Sequence, residues 1–153
     1  MTIEITDAIA HLSIEVLVRS YATEDYWDGN WVVAHIKVML PGFQAKFSEG
    51  LHLSELHSFS QDLKRLYSEL EGIARLVAME GFLDLKAEID NRGRIHWSVE
   101  LSHPVGSGNE ARLQFAMHSD QSYLPALLDQ IEAVLTEFPI VGQSTILGER
   151  PPF

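Results

Sequence analysis

The stretch FLDLKAEIDNRGRIHWSVELS, residues 82–102, carries the clearest fold signal in the chain. Two runs within it alternate apolar with polar side chains, with apolar residues at Leu83, Leu85, Ala87, Ile89 and at Ile95, Trp97, Val99, Leu101. Alternation of period two is typical of a strand that buries one face. Residues 90–93 separate the runs and end in Gly93, which suits the positive φ of a tight turn. The stretch therefore predicts an antiparallel hairpin.

The same strand signal recurs in five further segments, which are residues 11–20, 31–40, 43–49, 73–80 and 111–119. The period changes in two places, where apolar residues recur every three or four positions, as they do along one face of a helix. The first helix is predicted from the N-cap Ser54 to a stop at Gly72, and the second spans about residues 122–138 before Pro139. Residues 1–8 show no period.

This order of three strands, a helix, four strands and a helix predicts an α+β fold. Hairpin connections are short and no strand-helix-strand pattern repeats, so we expect a mainly antiparallel sheet of six to seven strands with two helices packed on one face. We expect residues 1–140 to form a single α+β domain. Residues 141–153 lack a period and are predicted to form an extended or disordered C-terminal tail.

Charge and composition exclude several kinds of site and several classes of partner. The chain has 153 residues, no cysteine and a formal charge of −11, so disulfides, thiolate metal sites and a Cys nucleophile are excluded. A strongly acidic protein is a poor direct partner for nucleic acid and favours basic partners instead. No apolar run approaches the length of a membrane helix, and the first residues lack the positive charge of a secretory signal, so the expected location is cytoplasmic.

Motifs for catalysis or cofactors are missing. The seven histidines include no His-x-x-x-His pair, and no Gly-rich phosphate loop or Gly-x-Ser-x-Gly elbow occurs. Carboxylates such as Glu80, Asp84 and either Glu88 or Glu100 would approach one another on a sheet, but this is expected by chance among 22 acids. We therefore predict a non-enzymatic protein with no catalytic residue, no cofactor and no metal.

The stretch DYWDGNW, residues 25–31, is the densest cluster of aromatic residues in the chain. We interpret it first as a hairpin connection, with positive φ at Asp28-Gly29 or Gly29-Asn30, and second as a surface. Aromatic side chains beside acids resemble a protein-binding tip, which makes Asp25, Tyr26, Trp27, Asp28, Asn30 and Trp31 candidate partner-binding residues. The alternative is that the three aromatic side chains fold over a sheet edge and cover it.

The second predicted helix supplies two more candidates. Residues 120–139 contain no Lys or Arg, and the helical phase places Asp129 and Glu132 on the outer face. Such a face is either a means of keeping the protein soluble or a docking surface for a basic partner.

Several segments together resemble the WapI-type family of small bacterial proteins. They are DYWDGNW at 25–31, LYSELEG at 66–72, LQF at 113–115 and DQSYLPALLDQIEAVLTEFPIVG at 120–142. The family is named for an immunity protein that neutralises the nuclease tip of a large toxin associated with the cell wall. The resemblance implies a cytoplasmic, non-enzymatic protein that binds another protein, and it transfers no catalytic or metal residue.

Two functions follow as hypotheses. In the first, the chain is an acidic immunity protein that blocks a basic toxin nuclease domain by matching its charge. In the second, it is a small-molecule-binding module or an enzyme that uses the outer face of the sheet. A concave apolar pocket with converging polar groups would favour the second, and a flat acidic face the first.

Overall fold

The structure is a computed structural model that describes residues 1–143. Residues 144–153, which are most of the predicted C-terminal tail, lie outside the described residues.

The chain forms two antiparallel sheets joined by a long helix. The first half contains β1 (Thr2–Thr6), β2 (His11–Arg19), the single helical turn α1 (Tyr26–Gly29), β3 (Trp31–Leu40) and β4 (Phe43–His52). The helix α2 (Leu53–Glu69) leads to β5 (Ile73–Val77), β6 (Leu83–Ile89), β7 (Arg94–His103) and β8 (Ala111–Asp120). A 3-10 turn (Gln121–Tyr123) then precedes α3 (Leu124–Glu137).

The fold class is α+β as predicted, but the single sheet of six to seven strands with two helices is wrong. The strands form two four-stranded sheets in the orders β1-β2-β3-β4 and β5-β6-β7-β8, and there are three helices within residues 1–143. Every neighbouring pair is antiparallel and follows chain order. Alternation identifies strands and their buried faces, but it does not reveal that α2 carries the chain from one sheet to another.

The missed strand is β1, which lies in residues 1–8, where the sequence shows no period. Ile3 and Ile5 point inward and are almost fully buried, while Thr2, Glu4 and Thr6 are only partly covered. Two apolar positions give too short a run for the pattern to be distinctive. Strand β1 is fixed by pairing with β2, for example Ile3 with Ile14, and not by its own sequence.

The predicted hairpin at residues 90–93 is present. The Asp90 N–H donates to the Arg94 carbonyl at 2.8 Å, and Gly93 has a φ of 80°. Ile89 and Ile95 are paired across the turn. The antiparallel hairpin predicted from residues 82–102 is therefore confirmed, including the residues that form its turn.

One hydrophobic cluster joins the two sheets and the two long helices. It contains the inward side chains of both sheets and the apolar stripes of α2 and α3. The sheets meet where Phe47 of β4 contacts Phe82, just before β6, edge to face with ring centroids 6.2 Å apart. No helix within residues 1–143 is both long and apolar enough to cross a membrane.

Helix α3 has the predicted phase. Leu124, Leu127, Ile131 and Val134 are fully buried, and Asp129 is exposed. The helix packs against α2 and β1, where the side-chain oxygen of Gln130 accepts a hydrogen bond from the Glu4 N–H at 2.8 Å. Helix α3 therefore covers the edge of the first sheet that β1 forms.

The phase of α3 gives a direct test. Replacing Ile131 by Asp would bury an unpaired charge in the shared core, and we expect a loss of at least about 4 kcal/mol in the free energy of unfolding. The matched change Asp129→Asn on the exposed face is expected to stay within about 0.5 kcal/mol of the native chain. Urea denaturation monitored by circular dichroism measures both. Equal losses would show that the helical phase is wrong.

The Asp90 turn predicts a pH dependence. A hydrogen bond from His96, together with backbone N–H groups of Arg92 and Arg94, lowers the pKa of Asp90 to about 2. Since this lies below the ordinary value of about 3.9, ionised Asp90 stabilises the folded state above about pH 4, and this contribution disappears as the pH falls towards 2. We expect the stability difference between the native chain and Asp90→Asn to be present at pH 7 and to shrink at pH 2.5. A difference that is independent of pH in urea denaturation would contradict this.

Candidate partner-binding site

The DYWDGNW stretch lies in the connection between the antiparallel strands β2 and β3, as predicted, but it forms a helical turn and not the predicted tight turn with positive φ. Asp25 caps the turn, since its carboxylate accepts hydrogen bonds from the Trp27 and Asp28 N–H groups at 3.1 and 2.8 Å. The Gly29 N–H donates to the Asp25 carbonyl at 2.7 Å. The short helix α1 therefore connects the end of β2 to β3.

Gly29 is required for close approach and not for a positive φ, which corrects the prediction for this position. It is not among the glycines with positive φ. A Cβ added there would lie 2.3 Å from the Thr23 carbonyl oxygen and 2.8 Å from a methyl carbon of Val141. The turn is thus pressed against both the preceding loop and the segment that follows α3.

Asn30 is fully buried and holds this segment in place. Its side-chain amide donates to the carbonyls of Tyr26 (2.7 Å) and Val141 (2.9 Å), and its side-chain oxygen accepts from the Val141 N–H (2.9 Å). Its backbone carbonyl accepts from the Leu53 N–H, the first residue of α2, at 2.8 Å. Asn30 therefore presents no surface to a partner and fixes the loop from inside.

His52 lies at the centre of the aromatic residues and is also fully buried. Its ring centroid is 4.8 Å from that of Trp27, 5.0 Å from that of Trp31 and 5.7 Å from that of Tyr26. The ring Nε2 donates to the Trp27 carbonyl at 3.0 Å, while Nδ1 accepts from the Ser54 N–H at 3.3 Å. Nε2 carries a proton, because a carbonyl oxygen can only accept, and Nδ1 also lies 2.6 Å from the Ser54 hydroxyl oxygen.

His52 is also the N-cap of α2, which corrects the prediction of Ser54. The Glu55 carboxylate accepts from the His52 N–H at 3.2 Å, which completes a capping box, and its other oxygen accepts from the Met79 N–H at 2.9 Å. The start of α2 is thereby tied to the loop between β5 and β6. Sequence alone gave no sign of this role, because histidine is an uncommon N-cap.

The three aromatic side chains are half-buried, so they combine a scaffold role with exposed area. Trp31 lies over Gly50 on the outer side of the first sheet, and the nearest ring carbon would be 3.6 Å from a Cβ at that position. The rings thus enclose His52, and part of their surface remains accessible, so the binding role of the stretch stays a prediction.

A groove of about 1040 Å³ opens beside Trp31. Its lining includes Tyr21, Asp28, Trp31, Glu49, Gly50 and Glu80. Tyr21 is 58% exposed, and Asp28 and Glu80 are also exposed. Glu49 is more enclosed, and one of its oxygens is 3.2 Å from Nδ1 of His103. Three carboxylates and two aromatic rings therefore face one groove, which we call the acidic groove.

The remaining predicted residues lie elsewhere. Asp25 is exposed just before α1, and Asp129 and Glu132 are exposed on α3, but none of the three lines the acidic groove. Glu132 forms an ion pair with Lys64 of α2 at 2.9 Å. Only Asp28 and Trp31 among the candidates therefore reach the groove. Three further groove residues were not predicted, namely Tyr21, Glu49 and Glu80. They lie in separate loops and strands, and only the fold brings them together.

The outer face of the second sheet has a smaller cleft of about 460 Å³ lined by Arg75, Asp84, Lys86 and Glu100, among others. Arg75 contacts both oxygens of Asp84 at 3.2 and 2.9 Å, and Lys86 is 3.8 Å from Glu88. Within residues 1–143, no three His, Asp or Glu side chains are grouped in a way that would hold a metal ion. Both cations of the cleft are thus already paired with carboxylates.

The contacts of Asn30 give a stability test. In Asn30→Asp, the amide that donates to two carbonyls becomes a buried carboxylate that faces them, so we expect a loss of about 3 kcal/mol or more in the free energy of unfolding. The control Asn91→Asp makes the same change at an exposed position in the β6–β7 turn and is expected to change stability by less than about 0.5 kcal/mol. Urea denaturation distinguishes them, and equal stability of the two variants would contradict the role of Asn30.

The fold resembles solved structures of low sequence identity. The structure of the plant transcriptional regulator PBF-2 superposes with a TM-score of 0.52 at 12% identity, covering 90% of this chain and 81% of that chain. The Trypanosoma brucei MRP1/MRP2 structures give a TM-score of 0.49 at 9% identity, with 91% and 85% of the chains covered. At 12% identity, the likeness to PBF-2 concerns the fold alone.

No curated protein matches the chain. The model of the immunity protein WapI-like family matches residues 3–139, a span that includes every element from β2 to α3 and the whole candidate site. The chain therefore belongs to the immunity protein WapI-like family.

Proposed function

We propose that this protein is a non-enzymatic, cytoplasmic immunity protein that binds a basic protein domain, such as a toxin nuclease, at the acidic groove. Membership of the immunity family supports a protein-binding role. The single observation that carries the site is the arrangement of Asp28, Glu49 and Glu80 around Trp31. A nuclease needs a basic surface for phosphate, and such a surface is complementary to this groove.

The roles within the groove follow from exposure. Asp28 and Glu80 are exposed and would steer a basic partner, since rim charges mainly raise the association rate. Trp31 and Tyr21 offer flat aromatic area, and a Lys or Arg side chain placed over such a ring gains cation–π attraction. The groove thus has the composition of an interface centre, with aromatic anchors and charge at the rim.

The scaffold makes the groove suitable for tight binding. Trp31 is held against His52 and over Gly50, and Glu49 is hydrogen-bonded to His103, so these side chains are ordered before a partner arrives. Side chains that are already ordered lose less conformational entropy on binding. Asp25 and Asn30 contribute indirectly, because their hydrogen bonds fix the turn that carries Asp28.

The test is co-expression with basic nuclease toxin domains from the source organism, followed by titration calorimetry with the domain whose toxicity is relieved. In the double variant Asp28→Lys with Glu80→Lys, we expect affinity to fall at least 100-fold, because positive charge would face a basic partner. The association rate of the native chain is expected to fall steeply between 50 and 300 mM salt.

The matched control is Asp129→Lys on the exposed face of α3, which makes the same charge change away from the groove. It is expected to retain affinity within about threefold. Loss of binding in the control and not in the groove variant would move the site to α3. If co-expression relieves the toxicity of none of the toxin domains, the immunity function is contradicted.

A further inference from the structure

A second groove lies between the two sheets, at the other end of β4. It has a volume of about 320 Å³ and is bordered by the first half of β4, the end of β7 and the start of β8. Its apolar lining comprises Phe43, Ala45, Phe47, Leu101, Ala111 and Leu113. Phe43 is 64% exposed, which is unusual for a Phe in a strand. We call this the edge groove.

Two of the three strands that border the edge groove, β4 and β8, have a free edge among the described residues. Among residues 1–143, β4 pairs only with β3, and β8 pairs only with β7. About half of the backbone N–H and C=O groups on such a strand point away from its neighbour and can pair with an added strand. The groove therefore offers backbone hydrogen-bonding groups beside an apolar surface.

The cations at this groove lie on the opposite face of their strands from its apolar residues. Lys46 alternates with Ala45 and Phe47 in β4, and Arg112 alternates with Ala111 and Leu113 in β8. Both are exposed, and neither forms an ion pair within residues 1–143. An extended segment along β4 would thus place alternate side chains on apolar surface and beside cations.

A third cation reinforces the charge. Lys37 is the register partner of Lys46 across β3 and β4, and it also lacks an ion pair among the described residues. Like charges placed directly opposite on neighbouring strands are destabilising. Lys37 does not line the edge groove, but it adds positive charge next to Lys46 in a chain of net charge −11, and an anionic segment would relieve this repulsion.

We propose that the edge groove binds an extended peptide segment of alternating apolar and acidic residues, which adds as a strand along β4. Its apolar side chains lie on Phe43, Phe47 and Leu113, and its carboxylates lie near Lys46 and Arg112. Residues 43–47 would pair with about five residues of the segment, roughly 16 Å of strand. Strand addition uses main-chain hydrogen bonds for affinity and alternate side chains for specificity. This site is separate from the acidic groove, so either proposal stands or fails alone.

Fluorescence anisotropy tests the proposal, with a labelled peptide of four Val-Glu repeats and the full-length chain. We expect saturable binding at 100 mM salt, and at least tenfold weaker binding for four Val-Lys repeats. In the double variant Lys46→Glu with Arg112→Glu, binding of the Val-Glu peptide is expected to fall at least tenfold. The control Arg92→Glu reverses an exposed cation in the turn at the other end of β7 and is expected to change binding less than twofold.

Backbone methylation separates strand addition from simple charge attraction. In a strand, alternate N–H groups face opposite edges, so N-methylation of all valines or of all glutamates blocks only one edge. One of the two methylated peptides is expected to bind as before and the other to lose at least tenfold. The proposal is overturned if both methylated peptides bind equally well, or if Arg92→Glu weakens binding as much as the double variant does. It is also overturned if the Val-Glu peptide does not bind, or if a single-stranded oligonucleotide binds more tightly than the peptide.

Discussion

The junction at His52 is the constraint on which the rest of the structure depends. This residue is at once the last residue of β4, the N-cap of α2 and the centre of the aromatic cluster. A buried polar ring is costly unless both nitrogens are hydrogen-bonded, and here the Trp27 carbonyl and Ser54 satisfy them. The direction in which α2 leaves the first sheet is therefore fixed by α1. The second sheet begins only after α2, so its placement also depends on this junction.

The same network explains how the proposed binding surface and a scaffold occupy one stretch of sequence. Asn30 joins α1 to Val141 and to the start of α2, and Arg19 donates to the carbonyls of Gly29 (2.7 Å) and Pro139. These contacts hold the loop from its inner side. Asp28 and the accessible part of Trp31 then project from a fixed backbone. Within DYWDGNW, the buried residues therefore form the scaffold and the exposed residues form the proposed surface. The two kinds are interspersed along the sequence and are distinguished only by burial.

The sequence predicted elements well and their assembly poorly. Alternation located the 82–102 hairpin and the buried stripe of α3, because these signals depend only on which side chains must avoid water. It could not show that β4 and β5 belong to different sheets, since pairing depends on where α2 directs the chain. The site followed the same division. Asp28 and Trp31 stood out locally, whereas Glu49 and Glu80 become groove residues only through tertiary structure.

Strand β4 connects the two proposed sites, and its charge pattern gives them opposite character. Lys46 borders the edge groove, and Glu49, three residues later, borders the acidic groove. His103 links the two, because its ring stacks on Phe47 with centroids 4.4 Å apart and its Nδ1 contacts Glu49 at 3.2 Å. An extended partner that followed all of β4 would need acidic groups near Lys46 and basic groups near Glu49. Such an order of charges would fix the direction of an added strand, because the reversed strand would place like charges together at both ends.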